Sequence, residues 1–256
     1  MEVHHHSNSS PASGGTERKK WKHYFWVFFM LFLAVTLGFF VENQREHYVE
    51  HQRTKQYALS LIDDLKKDTA SFKVLIANYK RDIVKIDTFR NILRGRSVKE
   101  IPTGSLYYYC EPVIWSIGFT FHDATLQQLK NSGNLRYFPS GLQIKISEYD
   151  RKSRELLTRQ ENEIYFSRIS REMMTEMFDA ESIISIHNLS DPLSIDKFRK
   201  QNIDLIKKDT FSLRKLINEI IYRQASWQFR LKQIVEPTNV AATELLADLK
   251  KEYHME

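Results

Sequence analysis

Glu111, His122 and Asp123 are the side chains of this 256-residue sequence that could most readily do acid–base chemistry. A carboxylate next to an imidazole can transfer a proton to and from a substrate. His122 and Asp123, however, are adjacent at the predicted start of a helix, where neighbouring residues point in different directions. We interpret Asp123 as the cap of a short helix over 124–130 and expect no catalytic residue here. The chain has no nucleotide-binding loop, no metalloprotease helix motif and no nucleophile elbow, so the sequence predicts no enzyme and no cofactor.

Three further features could bind a ligand or a metal ion. His4, His5 and His6 are consecutive, and imidazole suits copper, nickel or zinc. A flexible run of three histidines has no fixed geometry, however, so we predict no metal site. Cys110 is the single cysteine and could bridge two molecules, although a small buried apolar role is more common. Arg136 could pair with a core carboxylate, which we favour, or bind an anionic ligand.

Aromatic and basic residues supply the remaining candidates. Tyr107, Tyr108, Tyr109 and Trp115 could line a binding groove, although packing within a helix-poor segment over 101–117 is the favoured interpretation. The 38 Lys and Arg against 32 Asp and Glu give a net charge of +6, and the basic side chains are interleaved with acidic ones. This is not the concentrated basic face that binds phosphates, so we predict no nucleic-acid partner.

The elements that must position these residues begin with a membrane segment. An uninterrupted run of 18 apolar or weakly polar residues extends from Tyr24 to Val41. At about 1.5 Å per residue it reaches roughly 27 Å, enough to cross a hydrocarbon core. Trp21, Tyr24 and Trp26 lie at one end, where amphipathic rings favour the headgroup layer. The alternatives are a buried core helix and a cleavable signal peptide; the bulky residues at the end of the run disfavour cleavage.

The flanking residues give the predicted domain organisation. Basic residues at 18, 19, 20 and 22 precede the run, so the positive-inside rule predicts that the N-terminus lies in the cytoplasm. The membrane that the helix crosses is expected to be the inner membrane. The serine-, asparagine- and glycine-rich start predicts a disordered tail. We therefore expect a disordered cytoplasmic tail over 1–20, a transmembrane helix over 21–41 and an extracytoplasmic helical-bundle domain over 42–256, with the lipid bilayer as one partner.

Two heptad rows predict that this domain is built from long helices. Each row places apolar residues at alternating steps of four and three, a period typical of helices packed in a left-handed bundle or coiled coil. The first heptad row is Ala58, Ile62, Leu65, Thr69, Phe72, Ile76, Tyr79, Ile83 and Ile86. The second is Leu213, Ile217, Ile220, Gln224, Trp227, Leu231 and Ile234, after which Pro237 should kink the helix. A third long helix is expected over 140–178, with Leu142, Ile146, Tyr149 and Leu156 on one stripe and Phe166, Ile169, Met173 and Met177 on another.

The predicted fold class is all-α: one transmembrane helix that continues into an antiparallel bundle of long helices, with short helical and irregular connectors. Gly95 is expected to end the first long helix, and Ser132-Gly133 the short one. The charged run over 63–68 is interpreted as a solvated face. An irregular connector is expected over 180–195.

Two sequence segments resemble a bacterial protein family. The first is Leu31-Phe32-Leu33-Ala34-Val35-Thr36-Leu37-Gly38-Phe39-Phe40 followed by Glu42-Asn43-Gln44-Arg45-Glu46. The second is Asp123-Ala124-Thr125, Leu129-Lys130 and Ser132-Gly133-Asn134-Leu135-Arg136. The family consists of uncharacterised single-pass membrane proteins with an N-terminal anchor and a helical extracytoplasmic domain of unknown function. The resemblance implies the same topology and no enzyme activity.

The sequence therefore favours a non-enzymatic, membrane-anchored helical interaction or scaffold protein. A homo-oligomer or a membrane protein is then the expected partner, because the heptad rows continue from the membrane segment. The alternative is an extracytoplasmic ligand-sensing bundle that signals through a partner protein.

Overall fold

The computed structural model of the protein describes residues 17–115 and 117–255, and over these residues it is all-α, as predicted. The helices are α1 (Glu17–Gly95), α2 (Thr103–Cys110), α3 (Ala124–Ser132), α4 (Ser140–Met177), α5 (Ala180–His187), α6 (Pro192–Arg199), α7 (Thr210–Arg230) and α8 (Glu236–Glu252). Short 3-10 helices occupy Val98–Glu100, Glu111–Ile114 and Asn134–Tyr137, and a π-helical turn, Leu231–Val235, joins α7 to α8.

The chain divides into two compact units, Met1–Arg53 and Thr54–Glu256, which we call the anchor unit and the bundle unit. In the anchor unit, residues 17–20 are helical, whereas a disordered tail was expected over 1–20. The remaining part of that predicted tail, including His4, His5 and His6, lies outside the described residues.

The anchor unit contains a helix that is long and apolar enough to cross a membrane. Its most apolar 18-residue window has a mean hydropathy of 2.3, and none of that window is buried within the protein. Phe25, Phe28, Leu31 and Phe32 are among the large apolar side chains that are exposed there. So many apolar side chains are unfavourable in water. Because they are not buried within the protein, this segment is not a core helix of the chain.

The bundle unit is built around three long helical segments. One is the part of α1 after residue 53, and another is the α7–α8 pair. The Gln224 amide donates to Asp87 at 2.6 Å, and Lys80 pairs with Glu236 at 3.5 Å. Because the α1 residue number falls as the partner's number rises, α7–α8 is antiparallel to α1.

The third segment, α4, is also antiparallel to α7–α8. Lys145 near its start pairs with Asp248 near the end of α8, whereas the Ser170 hydroxyl donates to Glu219 on α7 at 3.2 Å. The α1 segment and α4 consequently run in the same direction. The connector between them makes the return, and α7–α8 supplies the antiparallel contacts of the bundle.

The return connector follows α1 back along its length. Phe119 stacks on Phe72 with ring centroids 4.3 Å apart, and further along the connector Asn134 donates to the Tyr57 hydroxyl at 3.2 Å. Gly133, at φ +68°, lets the chain turn after α3 into Asn134–Tyr137, because a residue without a Cβ adopts this conformation without strain. The predicted stop at Ser132-Gly133 is confirmed.

The first heptad row packs into the core as predicted, and a second buried row runs beside it. Ala58, Leu65, Phe72 and Tyr79 are fully buried. The added row repeats every seven residues and consists of Leu61, Asp68, Leu75, Asp82 and Phe89. Asp68 is only 1% exposed, so its assignment to a solvated face is wrong.

The second heptad row is also buried, and Pro237 acts at the predicted place. The backbone passes from α7 through the π-helical turn Leu231–Val235 and resumes α-helical geometry at Glu236, with Pro237 in the first turn of α8. Proline lacks the N–H that would continue the α-helical bonding pattern. The wider turn accommodates this, and Thr238 and Leu245 return to the core.

The connectors are more helical than expected. The segment over 101–117 was predicted to be helix-poor, but it contains α2 and the 3-10 helix Glu111–Ile114. The segment over 180–195 contains α5 and the start of α6, which the Asp179 and Asp191 carboxylates cap by accepting bonds from Ser182 and Ser194 N–H at 2.8 and 2.9 Å. The α4 helix matches its predicted range to within one residue, 140–177 against 140–178.

Candidate functional site

A cleft of about 930 Å³ opens in the bundle unit between the C-terminal part of α1, the α2 segment and the short helices α5 and α6. We call it the Arg199 cleft. Its charged lining consists of Lys80, Arg81, Lys85, Arg199, Asp82 and Glu111. Four basic against two acidic side chains make the cleft cationic, and His187 also lines it.

The α2 helix sends its three consecutive tyrosines in different directions. Tyr107 and Tyr109 point into the core, where Tyr109 stacks on Phe89 with centroids 5.2 Å apart. Tyr108, rotated by about 100° from each neighbour, lies half-buried in the cleft wall. The preferred interpretation, core packing, is therefore confirmed for Tyr107 and Tyr109. The alternative interpretation, a groove lined by aromatic side chains, applies to Tyr108 and Trp115, which both line the cleft, and Tyr109 also borders it.

The α6 helix is held against α2 by backbone contacts. The Gly104 N–H donates to the Gln201 carbonyl at 2.9 Å, and the Ser105 hydroxyl donates to the Arg199 carbonyl at 2.8 Å. A Cβ on Gly104 would lie 2.1 Å from the Phe198 carbonyl oxygen, so only glycine permits this approach. The approach fixes the position of Arg199 at the end of α6.

Lys85, Glu111 and His187 form a polar cluster on one wall of the cleft. Lys85 Nζ donates to Glu111 Oε2 at 3.0 Å, and His187 Nδ1 lies 2.7 Å from Oε1. Burial alone would raise the pKa of Glu111, but Lys85 and His187 outweigh burial and lower it. Burial lowers the pKa of Lys85, whose ammonium also lies 3.9 Å from the centroid of the Tyr108 ring. Glu111 is thus a structural anion that holds the cleft wall.

Arg199 differs from the other basic residues of the cleft, because it has no carboxylate in ion-pair contact among the described residues. Its Nη2 donates to the Tyr109 hydroxyl at 2.6 Å, and its guanidinium carbon lies 5.3 and 5.0 Å from the centroids of the Tyr108 and Tyr109 rings. Its Nε is buried and has no hydrogen-bond partner. The nearby Asp196 carboxylate pairs with Lys200 instead.

The Arg199 cleft is therefore suited to bind an anion with a planar group. A guanidinium offers several donors in one plane and prefers carboxylate or phosphate oxygens. Half-exposed rings such as Tyr108 and Trp115 offer apolar faces on which a planar group can stack. Sequence reasoning missed Arg199, because nothing in its local pattern distinguishes it from Lys197 and Lys200.

The candidate acid–base residues lie in two separate places. His122 Nδ1 and N–H lie 2.9 and 3.0 Å from Asp68 Oδ1, and the Tyr149 hydroxyl donates to Asp68 Oδ2 at 2.5 Å. Asp123 occupies the predicted N-cap position of α3, but its carboxylate makes no capping hydrogen bond and instead accepts one from the Gln127 amide at 3.1 Å. Glu111 belongs to the Arg199 cleft. His122 is thus joined to the buried Asp68 rather than to Asp123 or Glu111.

The other sequence candidates are also located. Cys110 is fully buried, as favoured, and burial raises the pKa of its thiol. Arg136 donates to the Tyr137 hydroxyl at 2.5 Å and lies 4.7 Å from the centroid of that ring. Among residues 17–115 and 117–255, no group of three or more His, Cys, Asp or Glu side chains is arranged to hold a metal ion.

Comparison of the chain with protein-family models, with curated proteins and with solved structures finds no match.

Proposed function

We propose that this is a membrane-anchored, non-enzymatic binding protein whose helical domain binds a small aromatic or planar carboxylate in the Arg199 cleft. One observation carries the proposal: Arg199 is a half-buried cation in an open cleft and has no carboxylate partner among the described residues. A bound anion would accept hydrogen bonds from the guanidinium and compensate its charge, while Tyr108 and Trp115 would cover the planar part of the ligand.

The proposal favours ligand sensing over assembly through the heptad rows. Both rows are buried within their own bundle unit, so they do not form a free surface for a second chain. Assembly as a scaffold would have to use another surface. The exposed apolar side chains of residues 24–41 are the ones that a bilayer, a second copy or a membrane protein would cover.

The membrane arrangement is part of the same proposal. The apolar helix is near the N-terminus and the basic residues at 18–22 precede it, which supports a cytoplasmic N-terminus and an inner-membrane location with the bundle unit outside. The resemblance to bacterial single-pass membrane proteins with a helical extracytoplasmic domain supports the same topology. In this arrangement the cleft would face the extracytoplasmic space, and its occupancy would be passed to a partner protein.

Calorimetric titration of the full chain in detergent micelles tests the ligand class. Benzoate, benzylamine and inorganic phosphate are the probes: they supply a planar anion, a planar cation and an anion without a ring. We expect saturable binding of benzoate, weaker binding of phosphate and no binding of benzylamine. Equal binding of benzoate and benzylamine would show that the charge of the cleft does not select the ligand.

Two variants locate the binding site. Arg199→Gln removes the cation and should weaken benzoate binding about 10- to 100-fold, the value of one charge-assisted hydrogen bond. Arg168→Gln removes an exposed arginine of α4 that does not line the cleft, and should leave the affinity unchanged. Unchanged affinity in Arg199→Gln would contradict the proposed site.

A further inference from the structure

Three ionised side chains are buried together in the core of the bundle unit, away from the Arg199 cleft. Glu163 on α4 and Arg223 and Arg230 on α7 have side chains that are 3%, 1% and 6% exposed. Arg223 Nη2 donates to Glu163 Oε1 and, at 2.9 Å, to the Ser167 hydroxyl. Trp227 Nε1 donates to the same Oε1 at 2.7 Å. Ionised groups are rarely buried in this number unless their charges and hydrogen bonds are balanced.

The charges in this cluster do not balance. Two guanidinium groups face one carboxylate, and Arg230 Nη1 lies 3.6 Å from Glu163 Oε2, beyond an ordinary hydrogen bond. Two further acids lie near the cluster. Asp82 is already paired with Arg81, whereas Glu219 is only half-buried and acts on Arg223 through space, without an ion-pair contact. The three fully buried ionised side chains therefore carry one excess positive charge, which Glu219 offsets only from a distance.

The hydrogen bonds do not balance either. Nε and Nη1 of Arg223, Nε and Nη1 of Arg230 and the hydroxyl of Tyr79 are all buried without a hydrogen-bond partner. Tyr79 is close to this group, because its ring centroid lies 5.8 Å from the Arg230 guanidinium carbon. Every one of these five groups can donate, and buried donors in native proteins nearly always have an acceptor.

The backbone at this place is also unusual. Arg223 and Arg230 are seven residues apart and so lie on one face of α7. The π-helical turn Leu231–Val235 begins at the residue after Arg230. Such turns inside α-helices are frequently found at functional sites, where they reposition a side chain.

We propose that the core of the bundle unit binds one small inorganic anion of halide size, held by the free donors of Arg223 and Arg230 with the Tyr79 hydroxyl. Such an anion supplies the missing acceptor and cancels the excess charge. Water would accept hydrogen bonds but would leave the charge uncompensated. Trp227 and Tyr79 are both fully buried, with ring centroids 6.4 Å apart, and this packing favours a single atom over a larger oxyanion.

Thermal unfolding of the full chain in detergent tests this site, with chloride replaced by gluconate at constant ionic strength. The unfolding temperature should rise with the logarithm of the chloride concentration, because an anion that binds only the folded state stabilises it by mass action. Bromide should act in the same way. An unfolding temperature that depends on ionic strength alone would overturn the proposal.

The variant Glu163→Gln distinguishes an anion site from an ion pair that has only a structural role. This variant removes the competing carboxylate and raises the local charge, so the apparent affinity for chloride should increase about tenfold or more. Glu172→Gln, at an exposed position of the same helix, should keep the chloride dependence of the natural protein. Unchanged or weaker chloride dependence in Glu163→Gln would overturn the proposal.

Crystals of the full chain grown in bromide provide a readout that does not depend on stability. One anomalous peak is expected beside Arg223 and Arg230, and none should appear there in Arg230→Met. A site occupied by water alone in the natural protein would overturn the proposal, even if the unfolding temperature responds to chloride.

Discussion

Replacement of Gly104 by alanine should both destabilise the bundle unit and lower the affinity of the Arg199 cleft for benzoate. The added Cβ would lie 2.1 Å from the Phe198 carbonyl oxygen and 3.0 Å from that of Gln201. Both are backbone atoms, so no side-chain rotation can relieve the contact. The α2 and α6 backbones would have to separate by about 1.3 Å before the methyl carbon reached the 3.4 Å of ordinary contact with Phe198.

The magnitude follows from the contacts that this separation would stretch. Overpacking costs about 1–3 kcal/mol, and weakening the 2.9 Å bond from Gly104 N–H to Gln201 adds about 1 kcal/mol. We therefore expect Gly104→Ala to lower the free energy of unfolding by about 2–4 kcal/mol. For a unit of this size that corresponds to about 4–16 °C in the unfolding temperature.

The assay is thermal unfolding followed by circular dichroism, with benzoate titration on the same samples. Gly141→Ala is the matched control, because a Cβ at Gly141, near the start of α4, meets nothing within 4 Å. This control should be neutral or more stable by up to about 1 kcal/mol. If Gly104→Ala were as stable as Gly141→Ala, the close approach of α2 and α6, and with it the position of Arg199, would be refuted.

Three further predictions concern other buried groups. The neighbours of Glu111 lower its pKa below the ordinary 4.5, so its carboxylate should stabilise the fold at pH values above about 4.5. The difference in unfolding free energy between the natural protein and Glu111→Gln should therefore shrink as the pH falls below that value. A difference that grows on acidification would contradict this. Burial of Cys110 should leave its thiol unreactive toward a maleimide until urea unfolds the bundle unit, whereas labelling of the folded protein at the rate of a free peptide thiol would show that the site is open. Tyr149→Phe removes the 2.5 Å hydrogen bond to buried Asp68 and should cost about 1.5–3 kcal/mol in chemical unfolding, and Tyr165→Phe, at an exposed tyrosine of the same helix, should cost almost nothing.

The long helices could be predicted because their heptad rows extend over many turns. The rows from Ala58 to Ile86 and from Leu213 to Ile234 repeat the four-and-three spacing over six or more steps, and both rows are in the core. Gly95 and Gly133 end helices where expected, since glycine stops a helix by a local mechanism. Periodicity and helix stops therefore specified the all-α class.

The buried polar residues could not be predicted by the same reasoning. The expected stripe on the second half of α4 was Phe166, Ile169, Met173 and Met177. The first three are only partly buried, and Met177 is in the core. The buried positions there include Glu163, Ser167 and Ser170, because this face meets Arg223 and Trp227 of α7. A charged residue in a sequence indicates an exposed position unless its partner is known, and this partner is 60 residues away.

The Arg199 cleft could not be predicted from the sequence for a related reason. The Arg199 cleft is formed by short connectors, where the periodic signal is too brief to orient a side chain. Tyr107, Tyr108 and Tyr109 are identical in type, and only the direction of α2 decides which two enter the core. That Arg199 has no carboxylate partner becomes evident only from the packing of α6 on α2.

Diffraction from the full chain crystallised with 4-iodobenzoate tests most directly whether the Arg199 cleft binds a planar carboxylate. We expect an iodine anomalous peak inside the cleft, between Tyr108 and Trp115, with the carboxylate against Arg199. Iodine bound only outside the cleft, or a carboxylate turned away from Arg199, would contradict the proposal.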